Sequence, residues 1–419
     1  MTLSMNSGQC PRGPGGAFRA LPAGIWALGF VSMFMDISSE LIHSLLPVFM
    51  ATVLGVSMTT VGLVEGVAEA TAAITKVFSG AISDHLGKRK LLAGIGYGLA
   101  AATKPIFPLA TTINWVFAAR FVDRVGKGIR GAPRDALLAE IAPPELRGAA
   151  YGLRQSLDSV GAFVGPLAAV AFMVWFANDI RTVLWVAVVP GALAVGLLIF
   201  GVQEPEGARA RSGREKPLTF ADFTRLPPRY WFIVFLGLAF TLARFSEAFL
   251  VLRAHEVGLA VSYVPLVLIV MNVVYAVTAY PAGVAADKFS ERLLLIVGIA
   301  MLLAADIVLA AAKGPWAAFI GAAFWGMHMG FTQGLFAKLV ADNAPAEIRG
   351  TAFGIFNLAG GGALLIASVV AGSLWSAFGA PATFLTGAAF AVLAMLGLLT
   401  YRDRPRAVGE RVRRGSGAD

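Results

Sequence analysis

Apolar runs of about twenty residues or more, separated by short polar hinges, recur along the whole chain. A run of that length crosses the ~30 Å hydrocarbon core of a bilayer as an α-helix. The runs fall at about 22–50, 58–82, 91–110, 113–136, 147–175, 182–202, 230–254, 261–286, 292–312, 315–340, 350–377 and 381–401, and they predict an all-α membrane protein of twelve transmembrane helices. A closed barrel, the other spanning solution, needs short strands of alternating polarity, which these runs are not. Charged residues make up 14% of the chain and hydrophobic ones 57%. Soluble domains carry about a quarter charged residues, so a water-soluble fold of this size would lack its polar shell.

The placement of lysine and arginine sets the orientation. With twelve spans, both termini and every even-to-odd connection share one side. That side holds Lys88, Arg89, Lys90, Arg147, Arg209, Arg211, Arg214, Lys216, Arg225, Arg229, Lys288, Arg292, Arg349 and the arginines of the tail. The opposite loops hold Arg181, Lys313 and, near a helix end, Arg253. This bias predicts a cytoplasmic basic side, with both termini there. It also accounts for the net charge of +9 as a topology signal, so nucleic acid is not an expected partner. The first apolar run has no convincing cleavage site after it and is read as an uncleaved span.

The chain repeats itself. AEIAPPELRGAAYG at 139–152 returns as ADNAPAEIRGTAFG at 341–354, and GAISDHLGKRK from 80 realigns with GVAADKFSERL from 283, offsets of 202 and 203. The expected layout is a disordered N-terminus at 1–21, a six-helix bundle at 22–202, a basic linker at 203–229, a second six-helix bundle at 230–401 and a basic tail at 402–419. Parallel repeats of this kind place a substrate site between the halves near mid-membrane.

The two copies of the second motif resemble the signature of the major facilitator superfamily, Gly-x-x-x-Asp-Arg-x-Gly-Arg-Arg, in the hinge after the second helix of each half. Gly80, Asp84, Gly87, Lys88 and Arg89 match in the first copy, with His85 in place of arginine; Gly283, Asp287, Lys288 and Arg292 match in the second, with Ser290 where glycine is expected. The resemblance implies a cytoplasmic gate in which the aspartate and its basic neighbours latch the halves. Arg124-x-x-Lys127-Gly128 is similar to the family's Arg-x-x-Gln-Gly element, and Gly161-x-x-x-Gly165-Pro166 resembles an element often found in drug-exporting antiporters. Small residues four apart let helices approach, and Pro166 would bend the fifth span at a hinge. The run DRVGKGIRGAPRDALLAEIAPPELRG resembles a poorly characterised prokaryotic branch.

Charges inside the predicted spans carry the functional reading, since each costs roughly 2.5–3.5 kcal/mol at mid-bilayer and normally pairs or faces water. Asp36, Glu40 and His43 lie in the first span, Glu65, Glu69 and Lys76 in the second, and Arg120, Arg124, Lys127 and Arg134 in the fourth. Counting 1.5 Å per residue from the run boundaries puts Asp36, Glu69 and Arg124 in one layer and Glu40, Glu65 and Arg120 in another. Two carboxylates sharing one arginine would make a proton site. Asp36, Glu40, Glu65 and Glu69 are therefore candidate proton carriers and Arg120 and Arg124 their counter-ions; fixed ion pairs bracing the bundle are the other reading. His43, Arg244, Glu247, Asn272, Tyr275, Trp325, His328 and Gln333 are candidate substrate contacts. Arg244 and Glu247, three residues apart on the seventh span, could close on each other. Lys104 before Pro105 marks a kink without an assigned role.

Other chemistry finds little support. GIGYG at 94–98 sits inside an apolar run with no preceding strand, GKGIRGAPR lacks the ending of a phosphate-binding loop, and four histidines with one cysteine make no transition-metal centre. The expectation is a monomeric transporter in a prokaryotic inner membrane, with no cofactor beyond a proton gradient. It would be a proton-coupled exporter of a small molecule such as a drug, metalloid or metabolite. Uptake of a small anionic nutrient by symport, or a sensor that keeps the fold and moves nothing, are the alternatives.

Overall fold

The computed structural model describes residues 20–86, 88–204, 225–345 and 348–400. Twelve membrane-crossing segments are present among them, and each predicted run has its counterpart. Span 1 is Ala23–Val48 with a π-helical turn at Phe49–Val53, span 2 Met58–Leu86, and span 3 Arg89–Thr103 with a short continuation at Ile106–Leu109. Span 4 is Ile113–Ile141, span 5 Arg147–Trp175, and span 6 Ile180–Val186 followed by Val188–Gly201. Span 7 is Pro228–Ala243 and Ala248–Glu256, span 8 Leu266–Lys288, and span 9 Glu291–Ala310. Spans 10, 11 and 12 are Pro315–Asn343, Arg349–Phe378 and Ala380–Thr400.

Local chemistry sets several of these ends. The Asp179 carboxylate accepts from the Arg181 and Thr182 amides at the start of span 6, and Ser290 accepts from the Leu293 amide at the start of span 9. Such caps satisfy donors that the helix itself leaves open. Pro105 interrupts span 3 as expected, because proline lacks the amide hydrogen a continuous helix needs. The step in span 6 falls at Ala187, whose carbonyl accepts from Ser38 Oγ at 2.6 Å as well as from the Gly191 amide at 3.3 Å.

Eight of the twelve spans are long and apolar enough to cross a membrane by length and hydropathy alone. Spans 2, 3, 4 and 10 fall short. Spans 2 and 4 carry the acidic and basic side chains, span 3 is broken at Lys104-Pro105, and span 10 is rich in glycine, tryptophan and polar residues. Helices of this kind survive in a bilayer when their polar faces are turned towards protein or water.

Packing reproduces the repeat seen in the sequence. In the first half, span 1 packs on spans 5 and 6, span 3 on 4 and 6, and span 2 on 4. In the second half, span 7 packs on 11 and 12, span 9 on 10 and 12, and span 8 on 10. Each pairing recurs with six added to both numbers. The halves meet where span 2 runs along span 11, where span 5 meets span 8, and where the outer segment of span 7 lies against span 1. The span 2–span 11 seam is tight. A side-chain carbon on Gly62 would come within 2.2 Å of the Ser368 carbonyl, and one on Gly372 within 2.3 Å of the Met58 carbonyl. On the face opposite the basic loops, the Thr59 amide donates to Ser376 Oγ at 3.1 Å and Ser262 hydrogen-bonds Asn178.

Span 7 departs from the sequence expectation. The predicted continuous helix over 230–254 is interrupted at Arg244, Phe245, Ser246 and Glu247. The Arg244 amide folds back to Thr241 O, and the Ser246 amide takes the hydroxyl of Ser368 in span 11 as its acceptor. Backbone of this kind at membrane depth is tolerated where protein or a wet cavity supplies partners. Residues 205–224 of the predicted linker and 401–419 of the tail lie outside the described residues.

Candidate functional site

Spans 1, 2 and 4 of the first half deliver their charged side chains in layers. Glu40, Glu69 and Arg124 each lie seventeen residues from the basic-side end of their helix, whereas Glu65 and Arg120 each lie twenty-one and His43 twenty. At 1.5 Å per residue the second group sits about 6 Å farther from the basic loops. Contacts follow the layers. Arg120 Nη2 donates to Glu65 Oε2 at 2.8 Å, with both side chains buried. Arg124 Nη2 is 3.4 Å from Glu69 Oε1. His43 bridges the two layers, with Nδ1 3.4 Å from Glu40 Oε2 and Nε2 3.9 Å from Glu65 Oε2.

This arrangement corrects the predicted sharing of arginines. Asp36 does not join Arg124; its partner is Arg130, at 3.6 Å, one layer nearer the basic side. Glu40 pairs with His43 and not with Arg120. The reason is helix length. Spans 2 and 4 extend to Leu86 and Ile141, four and five residues beyond the apolar runs read from the sequence, which moves their charges by about one turn relative to span 1. Charged residues at those ends hid the helix continuation from a hydropathy reading.

Span 5 fixes the height of the two span 1 carboxylates. A side-chain carbon on Gly161 would stand 2.7 Å from Met33 O and 2.9 Å from Asp36 Cβ, and one on Gly165 would stand 2.8 Å from Ile37 O and 2.9 Å from Glu40 Cβ. The Gly161-x-x-x-Gly165 element is therefore the contact surface that seats Asp36 and Glu40. Span 5 stays one helix through Pro166.

Two further members of the charge network had no role in the sequence reading. Lys104, at the break in span 3, donates to Asp123 of span 4 at 2.8 Å and to Ser39 Oγ at 3.0 Å, and both partners of the ion pair are buried. Arg130 lies over the ring of Tyr97 at 4.8 Å in addition to facing Asp36. A lysine directly before a membrane-embedded proline was the available signal for the first, because a buried ammonium needs a buried acid.

A cavity of about 230 Å³ lies between the halves. The first half contributes Glu40, His43, Glu69, Arg124 and Lys127 to its wall; the second contributes Arg244, Phe245, Ser246 and Glu247 from the break in span 7, with Asn272 and Met329. The break thus converts a helix into one wall of the cavity. Arg244 and Glu247 do not close on each other: among the described residues no ion pair joins them, and none reaches Lys127. The i, i+3 expectation assumed a helix that is absent at those positions.

Of the other predicted contacts, His43 and Asn272 line the cavity. Tyr275 donates to Gln333 Oε1 at 3.1 Å between spans 8 and 10 and is outside the lining. Trp325 and His328 are fully buried behind Phe245. In the predicted gate, Arg89 bonds Glu140 within the first half, and Arg292 donates to Leu399 O at 2.8 Å within the second. These contacts brace each half and do not cross between them. Lys88 is the residue preceding span 3, and Gly283 lies within span 8, where an added side-chain carbon would meet no other segment within 4 Å. Gly80 and Asp84 fall in the last turns of span 2 and Asp287 in that of span 8, but their side-chain surroundings, like Gly87, lie outside the described residues.

Two pseudo-repeated six-helix bundles enclosing a charged cavity define an integral, multi-pass membrane transporter. The sequence profile of the Major Facilitator Superfamily matches residues 28–253 and again 232–418, and the chain belongs to that family of transporters, which are not enzymes. An uncharacterised MFS-type transporter of Methanocaldococcus jannaschii is 30% identical over 91% of this chain and 95% of its own length. The class C tetracycline resistance protein of Escherichia coli is 26% identical over 70% of this chain and 76% of its own. The crystal structure of a point mutant of the nucleoside transporter NupG superposes with a TM-score of 0.78 at 13% identity, covering 90% of this chain and 98% of that chain. The match to NupG bears on the fold.

Proposed function

We propose that this secondary transporter exports a small polar molecule in exchange for protons, by alternating access across a prokaryotic inner membrane with both termini in the cytoplasm. The observation that carries the reading is the position of Glu40 and Glu69 in the wall of a cavity that both halves enclose. Glu40 is the acid we assign to the coupling proton. It reaches the cavity, its ion-pair partner is the His43 imidazole rather than a guanidinium, and its backbone is seated by Gly165. Asp36 and Glu69 face arginines but remain partly accessible, whereas Glu65 is sealed against Arg120 and serves as a brace. The basic loops support the cytoplasmic assignment, and likeness to a tetracycline resistance protein favours export.

Uptake of a small anion has its own support, since Arg124, Lys127 and Arg244 converge on the same cavity. Proteoliposomes of known orientation separate the readings. An imposed pH gradient that drives substrate into inverted vesicles, whose lumen corresponds to the outside of the cell, against its concentration supports coupled export, and gradient-driven movement out of them supports uptake. Gradient-driven flux that survives Asp36→Asn with Glu40→Gln, Glu65→Gln and Glu69→Gln would sink the proton assignment. A resistance profile of cells with and without the protein identifies the compounds to load.

A further inference from the structure

The second half contains an acid that the cavity does not use. Asp306 of span 9 is fully buried, and neither carboxyl oxygen has a hydrogen-bond partner. Its place is defined by Gly387 of span 12. A side-chain carbon there would lie 2.9 Å from Asp306 Oδ2, 3.1 Å from the Phe245 ring and 3.2 Å from the Ala243 carbonyl oxygen. All three therefore crowd one point, with no more than about 6 Å between the carboxyl oxygen and either of the others. Phe245 belongs to the break in span 7 and Ala243 is the last helical residue before it, and among the described residues no backbone amide bonds the Ala243 carbonyl across that break.

The cover over this carboxyl group is aromatic and dry. The Phe245 ring packs on Phe249, Trp325 and Phe384, at centroid separations of 5.5, 5.6 and 5.5 Å. Span 10 adds His328, also fully buried, whose ring meets Trp325 and Phe240 edge-on and whose two nitrogens lack partners. The titratable and charged groups on the packed elements are few. Span 10 faces the cluster with His328, span 7 carries Arg244 and Glu247 at the break, and span 12 has no charged residue between Ala380 and Thr400. Spans 8 and 9 carry their other charges, Asp287, Lys288, Glu291 and Arg292, at their basic-side ends. Among the described residues none forms an ion pair with Asp306. A bare carboxylate in such a place carries a desolvation cost that nothing here offsets.

We propose that Asp306 is a second proton-binding site, and that its proton controls the break in span 7. With the proton bound, the neutral carboxyl group tolerates the aromatic cover and can donate to the open Ala243 carbonyl. When the proton leaves to cavity water, the carboxylate needs water or a cation, and Arg244 at the break is the cation on the adjoining segment. Reaching it displaces Phe245 and moves the cavity wall that Arg244 to Glu247 form. This switch does not require Glu40 to carry the coupling proton.

The test uses the full-length protein in lipid nanodiscs, with Cys10→Ser and Ser246→Cys as a reporter of access to the break. Thiol labelling is followed as pH is raised, as the rate relative to that of the same thiol in the denatured protein at each pH so that thiolate formation cancels, alongside the infrared carbonyl band of protonated carboxylic acids. The expected labelling increase approaches about tenfold per pH unit across the transition, the limit for one proton, and part of the infrared band disappears in step. Asp306→Asn, which mimics the neutral group, should lose both responses, and Asp306→Glu should retain them with a displaced midpoint. Gly387→Ala, which intrudes between the carboxyl group and the break, should raise labelling at low pH. Labelling in the reporter protein that ignores pH overturns the proposal without any Asp306 variant; so does a pH response that persists in Asp306→Asn.

Discussion

Arg120 and Glu65 meet at 2.8 Å with side chains 2% and 0% exposed, and the pair closes the cavity network on the side away from the basic loops. The bond is single: Glu65 Oε1 and Arg120 Nε have no partner. His43 stands 3.9 Å away and connects this sealed pair to Glu40 in the cavity wall. One end of the network is thus fixed and dry, and the other is open.

Breaking the sealed end should cost stability. Arg120→Met leaves Glu65 a buried acid with only His43, 3.9 Å away, beside it, and losing one partner of a buried pair costs about 3–5 kcal/mol. Thermal unfolding in detergent should show a marked drop in midpoint, and Arg120→Met with Glu65→Leu should recover much of it. A double variant no more stable than the single would contradict the bracing role.

The open end should behave differently. Glu40→Gln keeps the side-chain shape and removes one of the two acids that His43 faces, leaving Glu65, so the protein should fold with a near-parental midpoint. Flux driven by a pH gradient should fall to background, while substrate exchange at equal pH continues. Gradient-driven flux at the parental rate would remove Glu40 from the coupling step.

The glycines of span 5 should be intolerant of bulk. Gly161→Leu and Gly165→Leu place side-chain atoms where span 1 backbone oxygens stand within 2.7–2.8 Å of the first added carbon. Overpacking of this kind costs about 1–3 kcal/mol or more, and here it also shifts Asp36 and Glu40. Size-exclusion profiles should broaden, and any folded fraction should transport poorly. Normal transport by Gly165→Leu would show that the close approach is dispensable.

The contact between Asn178 and Ser262 offers a handle on alternating access, because it joins the halves on the face opposite the basic loops. Asn178→Cys with Ser262→Cys, in a chain carrying Cys10→Ser, should form a disulfide under mild oxidation. The link should stop transport, and reductant should restore it. Full transport by the cross-linked protein would mean that this face need not open.

Much of this molecule is legible in one dimension. Apolar run length gives the twelve spans, the distribution of lysine and arginine separates the two faces, and the offsets of 202 and 203 give the duplicated halves. Glu40, Glu65, Glu69, Arg120 and Arg124 also stand out, because an ion in an apolar run is conspicuous wherever it points, whereas Lys104 and Arg130 gained their roles only from the partners they meet. Partners are harder to read. Asp36 meets Arg130 rather than Arg124 because spans 2 and 4 continue through polar residues that hydropathy reads as loop.

The sequence alone determined the solvent of each segment, since transfer free energy depends on composition and adds residue by residue along a run. It could not determine depth register, the break at Arg244–Glu247, or the solitude of Asp306. Those depend on which helix surfaces interlock, and a single acceptor such as Ser368 Oγ on span 11, more than a hundred residues away, takes up a backbone amide at the break in span 7. Tertiary packing decided them, because in a bilayer an unpaired amide or carboxyl group is settled by its nearest neighbour in space.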